Sequence, residues 1–335
     1  MLTEQIQPPV TVKRPPPVNL KPGDENLFQH EYVREIGPAL VRELRDVEAL
    51  PNGFLIAGGR LVREALVGAP RGIRALKAQA RMLQYRLLAR QTTIARGVWV
   101  TDEFSNGYFH WICDVLPRLE AVGMDAVRGR TLLVPAMADY SYCAHSLEAF
   151  KLENTRCFPW SERVRAGELL VVGPAAPTGN FRPSHMIALR ERMRRRFGAG
   201  APGRKLYISR ARAPGRRIAN EEEVGAVFLR HGYERIAPEE LSFDEQVRIA
   251  GSASVLAGNH GAGLTNMCWM VPGTTVLELR RQGDRHNNCY YSLAAALGIG
   301  YRYLACSAAD ERQPTHVADL VVDLHRLETE LAMIG

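Results

Sequence analysis

Short apolar runs alternate with helical patterns in the first half of the chain. The apolar runs predict strands at Val98–Val100, Thr131–Pro135 and Leu169–Val172. Between them, apolar residues at helical spacing predict helices at Phe109–Val122 and Asp139–Leu152. Strands that alternate with helices in this way indicate parallel βα units.

A second series of the same kind occupies the later part of the chain. It predicts, in order, strand Lys205–Ser209, helix Glu221–His231, strand Tyr233–Ile236, helix Phe243–Ala250, strand Val255–Ala257, helix Gly263–Met270 and strand Thr275–Leu279. Asn220 and Glu223 have the spacing of a helix N-cap and its reciprocal acid, which predicts a helix start there. The rhythm is typical of a doubly wound, Rossmann-like domain.

Two stretches rich in proline and glycine divide the chain. Residues 1–23 contain six prolines, a density that disfavours both helix and sheet, so we expect an extended arm outside either core. Residues 173–182 include Pro174, Pro177 and Gly179. We expect a domain boundary there.

The length of 335 residues exceeds the size at which a single hydrophobic core usually stops growing. We therefore expect an α/β protein of two Rossmann-like lobes with a cleft between them. The N-terminal lobe should span residues 24–178 and the C-terminal lobe residues 179–310. A helix within residues 311–335 is expected to pack back on the N-terminal lobe.

One further helical pattern lies between the arm and the first predicted strand. Apolar residues recur from Ile73 through Leu76 and Leu83 to Leu87, and arginines and lysines lie between them. The spacing predicts an amphipathic helix with a basic outer face. The alternative is that this basic face is only exposed to solvent and binds no partner.

The charge balance favours a polyanionic partner. The formal net charge is +7 and the sequence pI is about 9.2, which suits a nucleotide, a nucleic acid or an anionic membrane surface. Arginine outnumbers lysine, and its planar fork suits phosphate, but genomic base composition can produce the same excess. Charge alone does not choose among these partners.

Several signals of other protein classes are missing from the sequence. The six cysteines form no C-x-x-C pair, so neither a zinc knuckle nor a redox motif is visible. No basic-then-apolar leader, no run of about 18 apolar residues and no N-x-S/T sequon occurs. We expect a cytoplasmic protein.

The segment from Ala257 to Asn266 is the most specific one in the chain. A buried strand runs into the glycine-dense turn at His260–Gly263, and a helix follows. Glycines let backbone N–H groups approach a ligand, and a helix N-terminus attracts negative charge. We therefore expect this turn to bind a diphosphate. The alternative is a tight turn whose glycines serve packing. His260 favours the ligand site, because α/β proteins bind ligands at this edge of the sheet.

A second constellation follows the predicted strand at Lys205. Ser209 and Arg210 end that strand, and Arg212, Arg216 and Arg217 come soon after. Hydroxyl and guanidinium donors suit a pyrophosphate, because Arg can bind two oxygens at once. For Arg212 and Arg216 we prefer a solvated basic loop, and for Ser209 and Arg210 we expect ligand contact.

In the first lobe, His110 and Asp114 are four residues apart, so a helix would bring them together on one face. The two residues could supply a general base and its orienting partner. The alternative is an Asp–His pair that only stabilises the helix.

Together, the three segments resemble glycosyltransferase family 61. Members carry an aromatic-His-x-x-x-Asp segment, then a Ser-Arg and an Arg-x-Ile/Leu-x-Asn-Glu segment, then His-Gly-Ala-Gly-Leu-Thr-Asn. The corresponding residues here are Phe109, His110 and Asp114; Ser209, Arg210 and Arg217 to Glu221; and His260 to Asn266, followed by Pro272, Gly273 and Glu278. The resemblance covers roughly residues 100 to 280.

The resemblance implies a GT-B arrangement and inverting transfer from a UDP-sugar or similar donor, with no cofactor and no obligatory metal. No D-x-D occurs to hold a cation against a diphosphate, so arginines and helix dipoles must meet its charge. Asp114 is the first candidate for the base and His110 the alternative. Glu278 is expected to bind the ribose hydroxyls of the donor. The alternative is that Glu278 forms an ion pair with the neighbouring Arg280 or Arg281. The donor-binding residues implied are Ser209, Arg210, Arg217, His260, Gly261, Ala262, Gly263, Leu264 and Glu278.

The expected partners are therefore a nucleotide-sugar donor and a glycan or lipid-linked glycan acceptor. Synthesis of bacterial capsule or lipopolysaccharide fits best, with a peripheral contact at the inner face of the membrane. One rival is a basic nucleic-acid-binding protein, although no aromatic stripe accompanies its arginine runs and we expect no nucleic-acid partner. The other rival is a non-catalytic glycan-binding protein of the same fold.

Overall fold

A computed structural model of the protein describes residues 3–66, 73–211, 215–315 and 317–335. The strands in chain order are β1 (Thr3–Gln7), β2 (Val10–Lys13), β3 (Val33–Ile36), β4 (Ala39–Ala49), β5 (Leu55–Ala57), β6 (Arg60–Leu61), β7 (Arg90–Trp99), β8 (Thr131–Pro135), β9 (Thr155–Phe158), β10 (Glu162–Val172), β11 (Arg204–Ile208), β12 (Glu234–Ile236), β13 (Ala253–Asn259), β14 (Thr275–Arg281), β15 (Gly300–Ala308) and β16 (Leu320–Val321).

The α-helices are α1 (Glu25–Phe28), α2 (Ile73–Leu88), α3 (Tyr108–His110), α4 (Leu116–Val122), α5 (Met124–Val127), α6 (Ser141–Glu148), α7 (Pro183–Phe197), α8 (Glu221–Arg230), α9 (Phe243–Gly251), α10 (Cys289–Leu297) and α11 (Leu324–Ile334). A π-helical turn at Trp111–Val115 joins α3 to α4, and 3-10 turns lie at Gln29–Glu31, Arg63–Ala65, Ala136–Ala138, Pro238–Glu240 and Ala262–Trp269. The protein is therefore mixed α/β, as the alternation of patterns predicts.

The chain divides into two compact units. The first comprises Met1–Val10 with Glu35–His185, and the second comprises Thr11–Arg34 with Met186–Gly335. The expected boundary near residues 173–182 therefore lies close to the end of the first unit.

The first unit contains an eight-stranded mixed sheet. Its strand order is β6-β5-β4-β10-β7-β8-β9, and β1 pairs with β4. Strands β10, β7, β8 and β9 are parallel, as predicted, but β1, β4, β5 and β6 pair antiparallel. The Rossmann-like expectation is thus wrong for half of this sheet. The difference arises at β4, an 11-residue strand with five buried residues, which pairs antiparallel with both β10 and β5.

The second unit contains a six-stranded sheet in the order β12-β11-β13-β14-β15-β16. All pairs are parallel except β15–β16. In chain order the five parallel strands run 2-1-3-4-5, the flavodoxin-like variant of a doubly wound sheet, so the Rossmann-like prediction is confirmed here. Its core includes Tyr207, Phe228 and Leu277.

The N-terminal segment differs from the expected free arm. β1 pairs with β4, and β2 pairs with β3. Further along, the backbone N–H of Val18 donates to the carbonyl of Tyr301 at 2.8 Å. Regular pairing is possible because the prolines lie between and after the two strands rather than inside them.

Two expectations about helices are also wrong. α11 contributes Leu327 and Leu331 to the core of the second unit, where they are buried with Phe228 and Leu304. Asn220 does not cap α8 with its side chain. Its amide instead exchanges hydrogen bonds with the backbone of Val322 at 2.9 and 3.0 Å, as a strand neighbour would.

Candidate active site

The second unit places the Ser209–Arg210 and His260–Gly263 segments at one edge of its sheet. The strand order reverses between β11 and β13, which pair in parallel with Ile208 opposite Gly258. Ser209 and Arg210 follow β11, and His260 follows β13. In open α/β sheets, ligands bind at the carboxyl ends of the strands where the order reverses. The structure thus brings the second and third motifs together at the expected position for a ligand.

The guanidinium of Arg210 lies directly against Gly261. A Cβ atom added to Gly261 would be 2.5 Å from Nη1 of Arg210, so only glycine leaves room for this approach. The other guanidinium nitrogens donate to backbone carbonyls, Nε to Arg216 at 3.3 Å and Nη2 to Gly215 at 3.0 Å. Burial, followed by the charge of Arg216, lowers the pKa of Arg210, which remains a cation at neutral pH. The guanidinium of Arg210 is therefore a half-buried cation with a fixed orientation at this edge of the sheet.

His260 is held by Glu278 on the neighbouring strand. Nδ1 of His260 is hydrogen-bonded to Oε1 of Glu278, and the backbone N–H of His260 donates to the carbonyl of Leu279 at 2.9 Å. Burial raises the pKa of Glu278, but the charge and hydrogen bond of His260 outweigh this and lower it. An ionised carboxylate only accepts hydrogen bonds, so Nδ1 is the donor. No described residue is bonded to Nε2, which is the ring atom left for a ligand.

Glu278 is placed beneath the site rather than in it. The side chain has no exposed surface, and its second oxygen accepts a 2.5 Å hydrogen bond from Tyr301. Tyr301 also accepts from Arg280, whose guanidinium lies over the ring of Phe28 at 4.9 Å. The expected contact between Glu278 and a ribose is therefore wrong, because both carboxylate oxygens are used internally. Its carboxylate holds the ring of His260 through Nδ1.

Ser209 is also internal. Its hydroxyl donates to Glu221 at 2.5 Å and accepts from Arg235 at 3.1 Å, and the residue is only 5% exposed. Glu221, at the start of α8, also accepts from Tyr207 at 2.9 Å. Direct contact between the Ser209 side chain and a donor is not supported. Ser209 and Glu221 fix the end of β11, from which Arg210 projects.

The glycine turn continues into a 3-10 helix, Ala262–Trp269, where an α-helix was expected. Gly263 lies where a Cβ atom would be 2.9 Å from Ile208, and Leu264 is buried in the core at 1% exposure. The side chain of Leu264 therefore cannot reach a donor. Ala262 and Gly263 stay partly exposed, and the first N–H groups of a helix have no partner inside it.

Arg217 has a partner away from the glycine turn. Its backbone N–H donates to Asp319 at 2.7 Å, and its guanidinium lies 3.8 Å from the same carboxylate. No contact with Arg210 or His260 is seen in the described part of the chain, so the donor role of Arg217 has no support. Arg212 lies outside the described residues. Arg216 contributes its backbone carbonyl, which also accepts from Asn259 at 2.5 Å.

The first unit carries the other pair of candidate residues. His110 lies at the end of α3 and Asp114 in the π turn, and Nδ1 of His110 is 2.8 Å from Oδ2 of Asp114. Thr178 also donates to that oxygen, at 3.2 Å. The π turn precedes Pro117, whose ring would clash with the carbonyl of Cys113 in a regular helix.

The two residues of this pair differ in exposure. The side chain of His110 is 29% exposed, whereas that of Asp114 is 6% exposed. Both donors bind the same oxygen of Asp114, Oδ2, and Nε2 of His110 has no hydrogen-bond partner in the described residues. The more accessible basic atom therefore belongs to His110.

Phe104 covers one side of His110. The two rings are stacked, with centroids 5.4 Å apart and 27° between their planes, and Phe104 is 45% exposed. Its turn is fixed by Asp102, which accepts from the backbone N–H of Phe104 at 2.9 Å and from Ser105 at 3.1 Å. Buried Arg118 donates to the same carboxylate. A buried ion pair thus supports an exposed aromatic ring.

No group of three or more His, Cys, Asp or Glu side chains within the described ranges is arranged as metal ligands. In the same ranges, no helix combines the length and apolar character needed to cross a membrane.

A sequence profile described as Glycosyltransferase 61 matches residues 108–277. The chain belongs to glycosyltransferase family 61. The resemblance seen in the three motifs is thereby confirmed. The match includes His110, Asp114, Arg210 and His260, and ends one residue before Glu278.

Family 61 relatives share short segments with this chain. An "EGF domain-specific O-linked N-acetylglucosamine transferase" of Drosophila melanogaster is 34% identical over 99 residues, 29% of this chain and 18% of the relative. Proteins of the same name from Gallus gallus and Bos taurus are 40% and 39% identical over 62 residues, 18% of this chain and 11% of each relative. The matched segments span less than a fifth of those relatives.

Three side chains of the site in this family 61 chain were missed by sequence reasoning. Phe104 lies just before the first motif, but a lone aromatic residue there gives no signal of stacking on His110. Tyr290, on α10, meets the ring of His260 edge-on with centroids 5.0 Å apart, and no element was predicted there. Tyr301, on β15, lies outside every predicted strand.

Proposed function

We propose that the chain is an inverting, metal-independent glycosyltransferase that uses a nucleotide-diphosphate sugar, with a UDP-sugar favoured. The acceptor that we propose is a glycan or a lipid-linked glycan. The single observation that carries the proposal is the approach of Arg210 to Gly261 beside His260, at the point where the strand order reverses. Family 61 membership supports the reaction class.

The proposed donor site is a site for an anion, the diphosphate of the nucleotide sugar. Arg210 supplies a cation with two of its nitrogens already anchored, so little side-chain freedom is lost on binding. The N–H groups in the first turn of the 3-10 helix, at Ala262 and Gly263, would add further donors. In the transition state, negative charge grows on the departing diphosphate, and fixed donors of this kind stabilise it most when they are already oriented. His260 would present Nε2 to the same group.

Activation of the acceptor needs one general base, which deprotonates the attacking hydroxyl, because inversion proceeds by a single displacement at the anomeric carbon. We propose His110 as that base, acting through Nε2, and Asp114 as the residue that orients it. The support is the difference in side-chain exposure, 29% for His110 against 6% for Asp114, together with the two hydrogen bonds to Oδ2 of Asp114 that hold its carboxylate in place. This reverses the order of the two candidates inferred from sequence. Phe104 would bind the acceptor by stacking on a sugar ring.

The relatives' names suggest the first donor to test. They are named as N-acetylglucosamine transferases, so UDP-N-acetylglucosamine comes before other UDP-sugars. We propose a GT-B type enzyme whose second unit holds the donor and whose first unit supplies the base. The biological role that we propose is cytoplasmic synthesis of a surface polysaccharide such as capsule or lipopolysaccharide.

A thermal-shift screen of nucleotides and nucleotide sugars in EDTA tests the proposal. A ligand at about 100 times its Kd stabilises the native state by about 2.7 kcal/mol, so UDP or its sugars should raise Tm clearly. The sugar product made with a glycan acceptor should then have the opposite anomeric configuration by NMR.

Three results would contradict the proposal in different ways. If no nucleotide raises Tm, the donor site is wrong. If nucleic acid binds with steep salt dependence and without UDP competition, the basic surface serves nucleic acid. If glycans bind but no nucleotide sugar is consumed, the chain is a binding protein of the same fold.

A further inference from the structure

Helix α2 exposes its leucines. Leu76, Leu83 and Leu87 are 66%, 59% and 73% exposed, and Leu88 is 77% exposed. Spacings of seven and four residues put the first three on one stripe of the helix. A globular protein normally turns such a stripe toward its core. The sequence pattern predicted a basic outer face, but in the structure the leucines are exposed.

The same helix is purely cationic. Its 16 residues include four cations, Arg74, Lys77, Arg81 and Arg86, and no aspartate or glutamate, while Arg86 is ion-paired with Glu48 on β4 at 3.1 Å. Exposed leucines combined with cations and no acids are typical of helices that lie in the interface of an anionic bilayer.

An aromatic pair lies beside the end of α2. The ring of Tyr85 is stacked on Trp160, with centroids 6.2 Å apart and 26° between the planes. Trp160, in the turn between β9 and β10, is 53% exposed. Tryptophan and tyrosine are enriched where a membrane meets water, because their rings are apolar and their polar groups can stay wet. This feature is independent of the leucine stripe.

We propose that α2 and Trp160 form a docking surface for an anionic lipid bilayer, with the helix lying in the plane of the interface. At 16 residues, α2 is about 24 Å long, which is short for a span but ample for a surface helix. A second copy of this chain is a poorer occupant, because two copies of α2 would bring cations together with no acid on either helix. The proposal does not depend on the transferase activity.

Co-sedimentation of the full chain with vesicles tests the proposal. Vesicles of phosphatidylcholine with about 30% phosphatidylglycerol should bind the protein, and pure phosphatidylcholine should bind it much less, because each basic residue near an anionic surface adds attraction. Binding should weaken at about 0.5 M NaCl, where screening is strong.

Matched variants identify the surface. The pair Leu83→Asp and Leu87→Asp should lower vesicle partitioning by about tenfold or more, since two apolar side chains lose burial and two acids oppose the lipid charge. Leu229→Asp is the control, because Leu229 is 72% exposed on α8 in the second unit. Arg81→Glu should also reduce binding, whereas Arg195→Glu, on α7, should not. All five substitutions are at exposed residues, so melting temperatures should stay near that of the native chain.

Tryptophan fluorescence gives a second readout. The other three tryptophans, Trp99, Trp111 and Trp269, are fully buried, so an emission shift to shorter wavelength on adding vesicles must come from Trp160. Trp160→Phe should abolish the shift while binding persists. The proposal would be overturned if the native chain does not bind vesicles. It would also be overturned if the double variant Leu83→Asp, Leu87→Asp binds vesicles as well as the Leu229→Asp control does. A dimer in sedimentation velocity that this pair dissociates, without vesicle binding, would assign the surface to a second copy instead.

Discussion

Nδ1 of His260 donates a hydrogen bond to Glu278, a carboxylate with no exposed surface. The first unit repeats this relationship, since Nδ1 of His110 meets the nearly buried carboxylate of Asp114. In both pairs the acid is the more buried member and the imidazole the more exposed one. Each acid fixes the orientation of a ring through Nδ1, and we propose that each Nε2 faces a substrate.

Replacing Arg210 by alanine should weaken nucleotide-diphosphate binding by about 1.5 to 3 kcal/mol, the usual range for a hydrogen bond to a charged group. Calorimetric titration with UDP in EDTA measures the change. Arg217→Ala is the matched control, because that guanidinium is exposed and lies beside Asp319. If the two variants lose the same amount of UDP binding free energy, UDP affinity depends only on the net charge of the protein.

Gly261→Ala should lower UDP affinity without unfolding the chain. The new Cβ would be 2.5 Å from Nη1 of Arg210, the far end of a flexible side chain, so the guanidinium would move and the backbone would not. We expect an effect approaching that of Arg210→Ala, about 1 to 3 kcal/mol. Gly203→Ala, where an added Cβ meets nothing within 4 Å, should leave affinity unchanged. Full affinity in Gly261→Ala would show that the contact is incidental.

His110→Ala should lower kcat by about 100- to 10,000-fold while donor affinity stays nearly native, as expected for loss of a general base. Added imidazole should restore part of the activity, because it can replace the missing ring. Asp114→Asn should also slow the reaction, through loss of ring orientation, but imidazole should not rescue it. Near-native turnover by His110→Ala together with an inactive Asp114→Asn would make Asp114 the base.

The stability contribution of Glu278 should depend on pH. Its native pKa is lowered below 4.5, so the ionised side chain stabilises the fold above about that pH and the benefit disappears as pH falls through the native pKa. Glu278→Gln should lower the free energy of unfolding by about 3 kcal/mol at pH 7, because it removes one partner of a buried charge network that includes Arg280.

Urea unfolding at pH 7 and pH 4 measures this difference, which should narrow at the lower pH. Glu222→Gln is the control, because that side chain is 85% exposed on α8 and should change stability little. A gap between the native chain and Glu278→Gln that is constant across this range would show that the pKa of Glu278 is the same in the native and unfolded states, and a gap that widens at pH 4 would show that the native carboxyl is neutral.

Phe104→Ala should raise the KM for the acceptor by about threefold to tenfold, the loss expected for one aromatic stacking contact. The KM for the donor should not change, and Phe104→Tyr should keep most of the acceptor affinity. The ring is 45% exposed, so the alanine variant should fold normally. Steady-state kinetics with the acceptor varied decides the point, and an unchanged acceptor KM would remove Phe104 from the binding surface.

The sequence by itself determined the elements whose local signals are strong. β8 begins and ends where its apolar run does, and the predicted strands and most helices of the second unit lie within about two residues of their observed bounds. Local spacing also determined the pairing of His110 with Asp114, because four residues on a helix suffice to bring them together. The motifs were enough to identify family 61.

Only the tertiary structure decided which residues are accessible. The contact between Arg210 and Gly261 joins the segments that follow β11 and β13, 51 residues apart in the chain, and the burial of Glu278 depends on His260 and Tyr301 from two other segments. The same holds for α2, whose helical pattern predicts a stripe but not which way the stripe faces. Burial and long-range hydrogen bonds depend on the packing of distant segments, so periodicity and local spacing cannot report them.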